Sequence, residues 1–230
     1  FSGAQLGAVG GAGFTGFCFG IMLGGVVVDK IGYGKLVMAA FLFHILSAFI
    51  TFGATQGQDS ETAYQFLFWG MFVFALANGT LEAVANPLVA TLFPENRNHY
   101  LNILHASWPL GMILGGMVGW FLGGDGGWGW KGQLALYLVP TLVYGIMFLG
   151  QKFPQSEASA KGLKCGEMLK DVGILGGLVV SFMLYLFFQG TLAPFFEAGS
   201  SAPQMISLAI GLATLLAIGA MTKFSIGHWL

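Results

Sequence analysis

The chain has 230 residues, 56% hydrophobic and 8% charged, with a mean hydropathy of +0.76 and a net charge of −1. Soluble domains carry roughly 25% charged residues, so this chain lacks the polar skin of a water-soluble fold, and it has no basic excess for binding nucleic acid. Its two cysteines, Cys18 and Cys165, are neither paired in sequence nor spaced as metal ligands, so two free thiols and no metal or cofactor are expected.

Apolar runs bounded by charge, Gly and Pro predict seven membrane spans, at about 4–28, 36–55, 64–92, 100–123, 133–151, 171–192 and 203–222. Each must be helical, because backbone groups in the bilayer core find partners only within the protein. In the first span Gly3, Gly7 and Gly11 repeat every fourth residue, as do Gly16, Gly20 and Gly24. Such stripes predict close helix approach, either as static packing or as smooth faces that slide during transport. The following connection reads GGVVVDKIGYGK, residues 24–35. A carboxylate at a helix C-terminus opposes the helix dipole, so Asp29 calls for a partner, either a basic residue or another helix's N-terminus. Gly32 and Gly34 would allow a sharp turn there. The second span carries His44, expected as a structural histidine.

The third span places Asn78, Glu82 and Asn86 at four-residue spacing, predicting a single polar stripe, with Pro87 loosening the helix beside it. Glu82 lies ten residues from Leu92, or roughly 15 Å at 1.5 Å per residue. At that depth an ionisable group is costly unless it faces a cavity or a partner, and burial favours the neutral acid. The short loop PENRNHY, residues 94–100, makes the fourth span an antiparallel neighbour. On it Asn102, His105 and Trp108 approximately share a face, an aromatic plate beside hydroxyl-binding groups that suits a sugar. A further glycine row follows at Gly111, Gly115, Gly119 and Gly123, while Trp128 and Trp130 read as interface anchors.

The basic residues set the orientation. Of nine, Lys30, Lys35, Arg97, Lys152, Lys161, Lys164, Lys170 and Lys223 fall on one side, and Lys131 alone on the other. This bias puts the eight-residue side in the cytoplasm.

Gly25-x-x-x-Asp29-Lys30-x-Gly32-x-x-Lys35 between two membrane helices resembles the loop signature of the major facilitator superfamily, though with fewer basic residues. The resemblance implies that the first span is that family's second helix, with the family's first helix missing. Asn78-Gly-Thr-x-Glu82-x-x-x-Asn86-Pro87, followed by Leu101-Asn102-x-x-His105, is similar to the fucose:proton symporter branch of that superfamily over residues 4–151. It implies a multi-pass protein of the bacterial inner membrane that moves a small molecule, a sugar, together with a proton.

The expectation is thus an all-α transmembrane bundle. Residues 1–151 would hold helices two to six of the N-terminal half and residues 152–170 a cytoplasmic loop. Residues 171–223 would be an inserted helix pair or else the family's seventh and eighth helices, and 224–230 the start of the next helix, with the C-terminal half absent. Glu82 is the expected proton carrier, and Asn78, Asn86, Asn102, His105 and Trp108 the substrate cavity. Gly25, Asp29, Lys30, Gly32, Lys35 and Arg97 form the expected cytoplasmic gate. A sugar uniporter and a non-transporting receptor or scaffold of the same fold are the alternatives. An intramembrane enzyme using Glu82 and His105 lacks a nucleophile or an HExxH motif at suitable spacing. The charge bias generates one test. Cysteines placed at Gly57 and Ser200 should react with an impermeant thiol reagent from outside the cell, and one at Ala160 should not. External labelling at Ala160 would reverse the orientation.

Overall fold

The computed structural model describes residues 1–123, 127–162, 165–192, 196 and 199–226, and of residues 157, 158 and 165–172 only the backbone. Every regular element among them is a helix: α1 (Gly3–Ile31), α2 (Tyr33–Phe52), α3 (Ser60–Leu92), α4 (Arg97–Leu122), α5 (Trp130–Ala135), α6 (Leu138–Phe148), α7 (Glu157–Ala160), α8 (Cys165–Leu192) and α9 (Ala202–Met221). Six stretches are long and apolar enough to cross a bilayer: α1, α2, α3, α4, the Gly173–Leu192 part of α8, and α9. Large apolar side chains such as Phe14, Phe49 and Trp120 project outward, the reverse of a soluble protein. The chain divides into two compact units, Phe1–Ala160 and Lys161–Leu230.

The expected span 133–151 is two segments, α5 and α6, instead of one helix. Pro140 has no N–H to offer Leu136 O four residues back. The chain tightens there, with Val139 N donating to Leu136 O and Tyr137 N to Leu134 O, each three residues back. Leu136 and Tyr137 keep helical dihedrals, so the joint does not reverse the chain.

In the first unit α1 packs most closely on α3, through small residues on both sides. Ala12, Gly16, Gly20, Gly24 and Val28 are buried along one edge of α1, and Ala75, Gly79 and Thr80 along α3. A Cβ on Gly20 would lie 2.7 Å from Thr80 N, and one on Gly79 would lie 2.9 Å from Gly20 Cα. The backbones touch there. The other two glycine rows behave differently: Gly3, Gly7 and Gly11, and Gly111, Gly115 and Gly119, meet nothing within 4 Å, while Gly123, the last of the expected row, ends α4 with Gly119 O 2.6 Å from where its Cβ would lie. Of the expected stripes, one is therefore a packing surface and the others are open among the described residues.

Gly32 alone joins α1 to α2, with φ +90°, a conformation that excludes most side chains. Gly34, expected to share this turn, is helical instead, and a Cβ on it would strike Phe153 Cδ2 at 2.8 Å. Below this turn Val28, Tyr33, Leu36, Val37, Val84 and Leu88 form an apolar core against Phe148 and Phe153. At the far end Lys131 Nζ donates to Phe52 O, the last carbonyl of α2, at 2.9 Å. A cation there also suits the helix dipole. Asp59 caps α3 by accepting from Thr62 N at 2.9 Å, and that bond holds its carboxyl below the usual carboxylate value.

Between α2, α3 and the α5–α6 segment lies a buried polar network. His44 is 4% exposed and shares hydrogen bonds with Asn78 Oδ1 through Nε2 (3.1 Å) and with Tyr144 Oη through Nδ1 (2.8 Å). One turn on, Ser47 Oγ pairs with Tyr137 Oη at 3.0 Å. Helices that gain no hydrophobic advantage by leaving lipid are held by such bonds and by close packing.

In the second unit α8 kinks at Gly173 (φ 58°). Residues 165–170, expected as loop, are helical before that kink. Ile174 N donates to Ser225 O at 2.8 Å, which ties the two ends together and makes α8 and α9 antiparallel. A Cβ on Gly211 would lie 3.0 Å from Ser181 O, so small residues set this contact too. Residues 222–224 form a turn and 225–226 carry no regular structure, and 227–230, the rest of the expected next helix, lie outside the described residues.

Two substitutions follow from these contacts. Gly79→Ala should lower thermal stability in detergent by about 1–3 kcal/mol, because α1 must move away, while Gly111→Ala should not. His44→Phe strands Asn78 and Tyr144 and should cost about 1–2 kcal/mol. His105→Phe, at an exposed position, is the comparison that should leave the melting temperature unchanged.

Candidate membrane-embedded carboxylate site

The polar residues of α3 serve two different neighbours. At 100° per residue a step of four overshoots a full turn by about 40°, so Asn78 and Asn86 diverge by twice that. Asn78 turns to α2 and spends its Oδ1 on His44. Glu82 turns to α4, and Asn86 bonds it from the next turn of α3. The expected single stripe is split, and Asn78 belongs to the structural network rather than to the carboxylate site.

Glu82 Oε1 accepts from Asn86 Nδ2 at 2.9 Å, and Oε2 accepts from Trp108 Nε1 at 3.3 Å. Both donors are neutral. The Trp108 ring meets Phe17 of α1 edge-on, with centroids 5.2 Å apart, so three helices converge on the carboxylate. Trp108 is 47% exposed and forms an open aromatic face beside Glu82. Asn86 Oδ1 is buried and has no hydrogen-bond partner among the described residues.

Asn102 and His105 precede Trp108 on α4 and are exposed, without a bond to Glu82. Helix α4 has no buried residue and touches α3 along one edge, with Phe93 stacked on Tyr100 at 3.8 Å between ring centroids. The two residues sit on the helix expected for them, facing open space.

Among the gate residues, Gly32 makes the turn, and Asp29 is half-buried in the last turn of α1, next to Lys30. Gly25, Lys30, Lys35 and Arg97 are exposed at the same end. A cavity of about 700 Å³ lies at the opposite end, against Gln56, Leu67, Trp130 and Lys131. Glu82 does not line it.

Sequence reasoning placed His44 as a lone structural histidine and missed its partners. A signal was available in depth. His44 is eleven residues into α2 and Asn78 fourteen from the end of α3, roughly 17 and 21 Å from the same face. The same count puts Glu82 and Trp108 at roughly 15 and 17 Å. Polar groups at matching depth on antiparallel neighbours are the ones that can meet.

A family model described as the Major Facilitator Superfamily matches residues 1–230. Over 116 residues the sequence is 26% identical to the L-fucose-proton symporter of Escherichia coli (strain K12), a match that covers 50% of this chain and 26% of that protein. The matched segment is thus about a quarter of the relative's length. No solved structure matches. With its all-helical fold and six helices able to cross a bilayer, the chain belongs to the Major Facilitator Superfamily and is a multi-pass integral membrane protein of a transporter family.

Proposed function

We propose that the protein is a proton-coupled symporter that moves a sugar by alternating access, with Glu82 as the proton carrier. The observation that carries this reading is the neutral setting of the Glu82 carboxylate, roughly 15 Å from the helix end, with Asn86 on one oxygen and Trp108 on the other. A carboxylate locked by Lys or Arg would be expensive to protonate, because the cation would be left unpaired. One held by amide and indole N–H groups keeps an acceptor oxygen in either state. It can gain and lose a proton as water access alternates.

The half-exposed indole of Trp108 offers a plate for the apolar C–H face of a sugar. Asn102 and His105, exposed on the same helix, offer partners for its hydroxyls. The name of the distant relative makes L-fucose the first sugar to try. The glycine contact makes α1 and α3 one body, and transport would rock this bundle against a second, C-terminal one. The open glycine row of α4 is then a surface on which such motion meets little obstruction. Asp29, with Lys30, Lys35 and Arg97 around the Gly32 turn, would close the cytoplasmic side, and Gly25 would allow close approach there.

Glu82→Gln keeps size and hydrogen bonding but holds the neutral state. In vesicles containing the full-length protein, the variant should lose pH-driven accumulation of L-fucose, ending at equal concentrations inside and outside. Counterflow between equal pools should persist. Uphill accumulation by the variant would remove Glu82 as the coupling site. Absence of proton movement with sugar in the parent protein would favour the uniport reading instead.

A further inference from the structure

The two sides of the Glu82 carboxylate are chemically unequal. Trp108 Nε1–H can only donate, so its bond to Oε2 survives only while that oxygen accepts. The Asn86 amide carries a donor and an acceptor at nearly the same place. With Glu82 ionised it presents Nδ2, at 2.9 Å from Oε1 and 3.5 Å from the Glu82 carbonyl. Its own Oδ1 is then buried and unpaired, and a buried acceptor without a donor carries a real energetic penalty.

We propose that the Asn86 amide reverses when Glu82 takes up a proton, and so passes the protonation state to the helix around it. This rests on the reading of Glu82 as the proton carrier and adds the element that responds to it. A proton from water adds to Oε1 and forms an O–H bond there. The new O–H needs an acceptor, and Nδ2 is a donor only, so the amide now faces it with the wrong side and the bond between them is given up. Rotation by about half a turn about the Asn86 Cβ–Cγ bond, between the two wells of such a torsion, brings Oδ1 to Oε1–H. The unpaired acceptor thereby gains its donor. Trp108 stays on Oε2 throughout.

The sequence also favours this exchange. Pro87 follows directly and has no N–H, so Ala83 O lacks the donor that an ordinary residue at that position would give it. In the proposed exchange that carbonyl, one residue beyond Glu82 O on the same helix, is the acceptor for the reversed Nδ2. The proton thus changes the hydrogen bonding of the α3 backbone at its proline, where a helix bends most readily. The titratable side chains at comparable depth on the helices packed against α3 include Cys18 on α1, His44 on α2, His105 on α4 and Tyr144 on α6. His44 is engaged by Asn78 and Tyr144, and Cys18 follows Phe17, the ring that backs Trp108. His105, one turn before Trp108, is the group on α4 whose charge could alter the Glu82 response.

The test uses the proton alone as probe. The full-length protein, with its asparagine side-chain carbonyls labelled with carbon-13, is cycled between high and low pH in a lipid film and followed by infrared difference spectroscopy. Protonation of Glu82 should produce a carboxylic C=O band that is absent in Glu82→Gln. A labelled amide band should shift with the same midpoint and should vanish from the difference spectrum in both Glu82→Gln and Asn86→Leu. If Asn86→Leu fails to insert, Asn86→Ser assigns the band. An asparagine band that stays still while Glu82 titrates, or that shifts equally in Glu82→Gln, overturns the proposal. If Glu82→Gln abolishes L-fucose accumulation while the asparagine band is still, the symport reading stands and the amide reversal falls. If Glu82→Gln accumulates L-fucose, both fall.

Discussion

The close approach of α1 and α3 at Gly16, Gly20, Gly24 and Gly79 is the contact on which the first unit depends. With no Cβ between them the two backbones meet, and Gly20 and Gly79 cannot turn aside without opening a gap. Lipid supplies no hydrophobic drive to press helices together, so surface fit does that work. The rotation of α3 about its own axis is thereby set. Once it is set, the destination of every polar side chain on α3 is decided as well.

That rotation sends Asn78 to α2 and Glu82 to α4. The Asn78 side is buried and saturated: His44, Tyr144, Ser47 and Tyr137 bond to one another and join three helical segments. The Glu82 side is sparser, with one amide, one indole and an orphaned Oδ1. A filled network resists change, because each lost bond strands a partner in a medium that cannot replace it. A partly filled one has states to choose between. Under the proposed function, rigidity and responsiveness would then occupy neighbouring faces of one helix, separated by a single turn.

The glycine rows make a similar division. The row on α1 between Gly16 and Gly24 is committed to α3, whereas the row on α4 is open. Identical spacing serves both, since the four-residue repeat produces a smooth helix edge and says nothing of what lies against it. Gly32 is a different case. Its φ of +90° is needed to turn directly from α1 into α2, and that need arises from the chain itself.

Sequence alone determined the solvent, the helical class, and the position and depth of Glu82, because these depend on composition, run length and the rise per residue. It also placed Asn86 and Trp108 on the right helices and carried the family in the loop signature around Asp29 and the Glu82 to His105 motif. Tertiary structure alone decided partnership. The offset of about 40° per four residues parted Asn78 from Glu82, a separation too small to read without knowing where the neighbours stand. His44 found Asn78 and Tyr144 only because α2 packs against both α3 and α6. Pro140 divided the fifth span through a missing hydrogen bond, and Gly173 allowed helix where loop was expected. Periodicity shows that a helix has faces. Which face meets which neighbour is settled only when the helices pack, because the fit of small side chains, summed over a whole contact, sets their rotation.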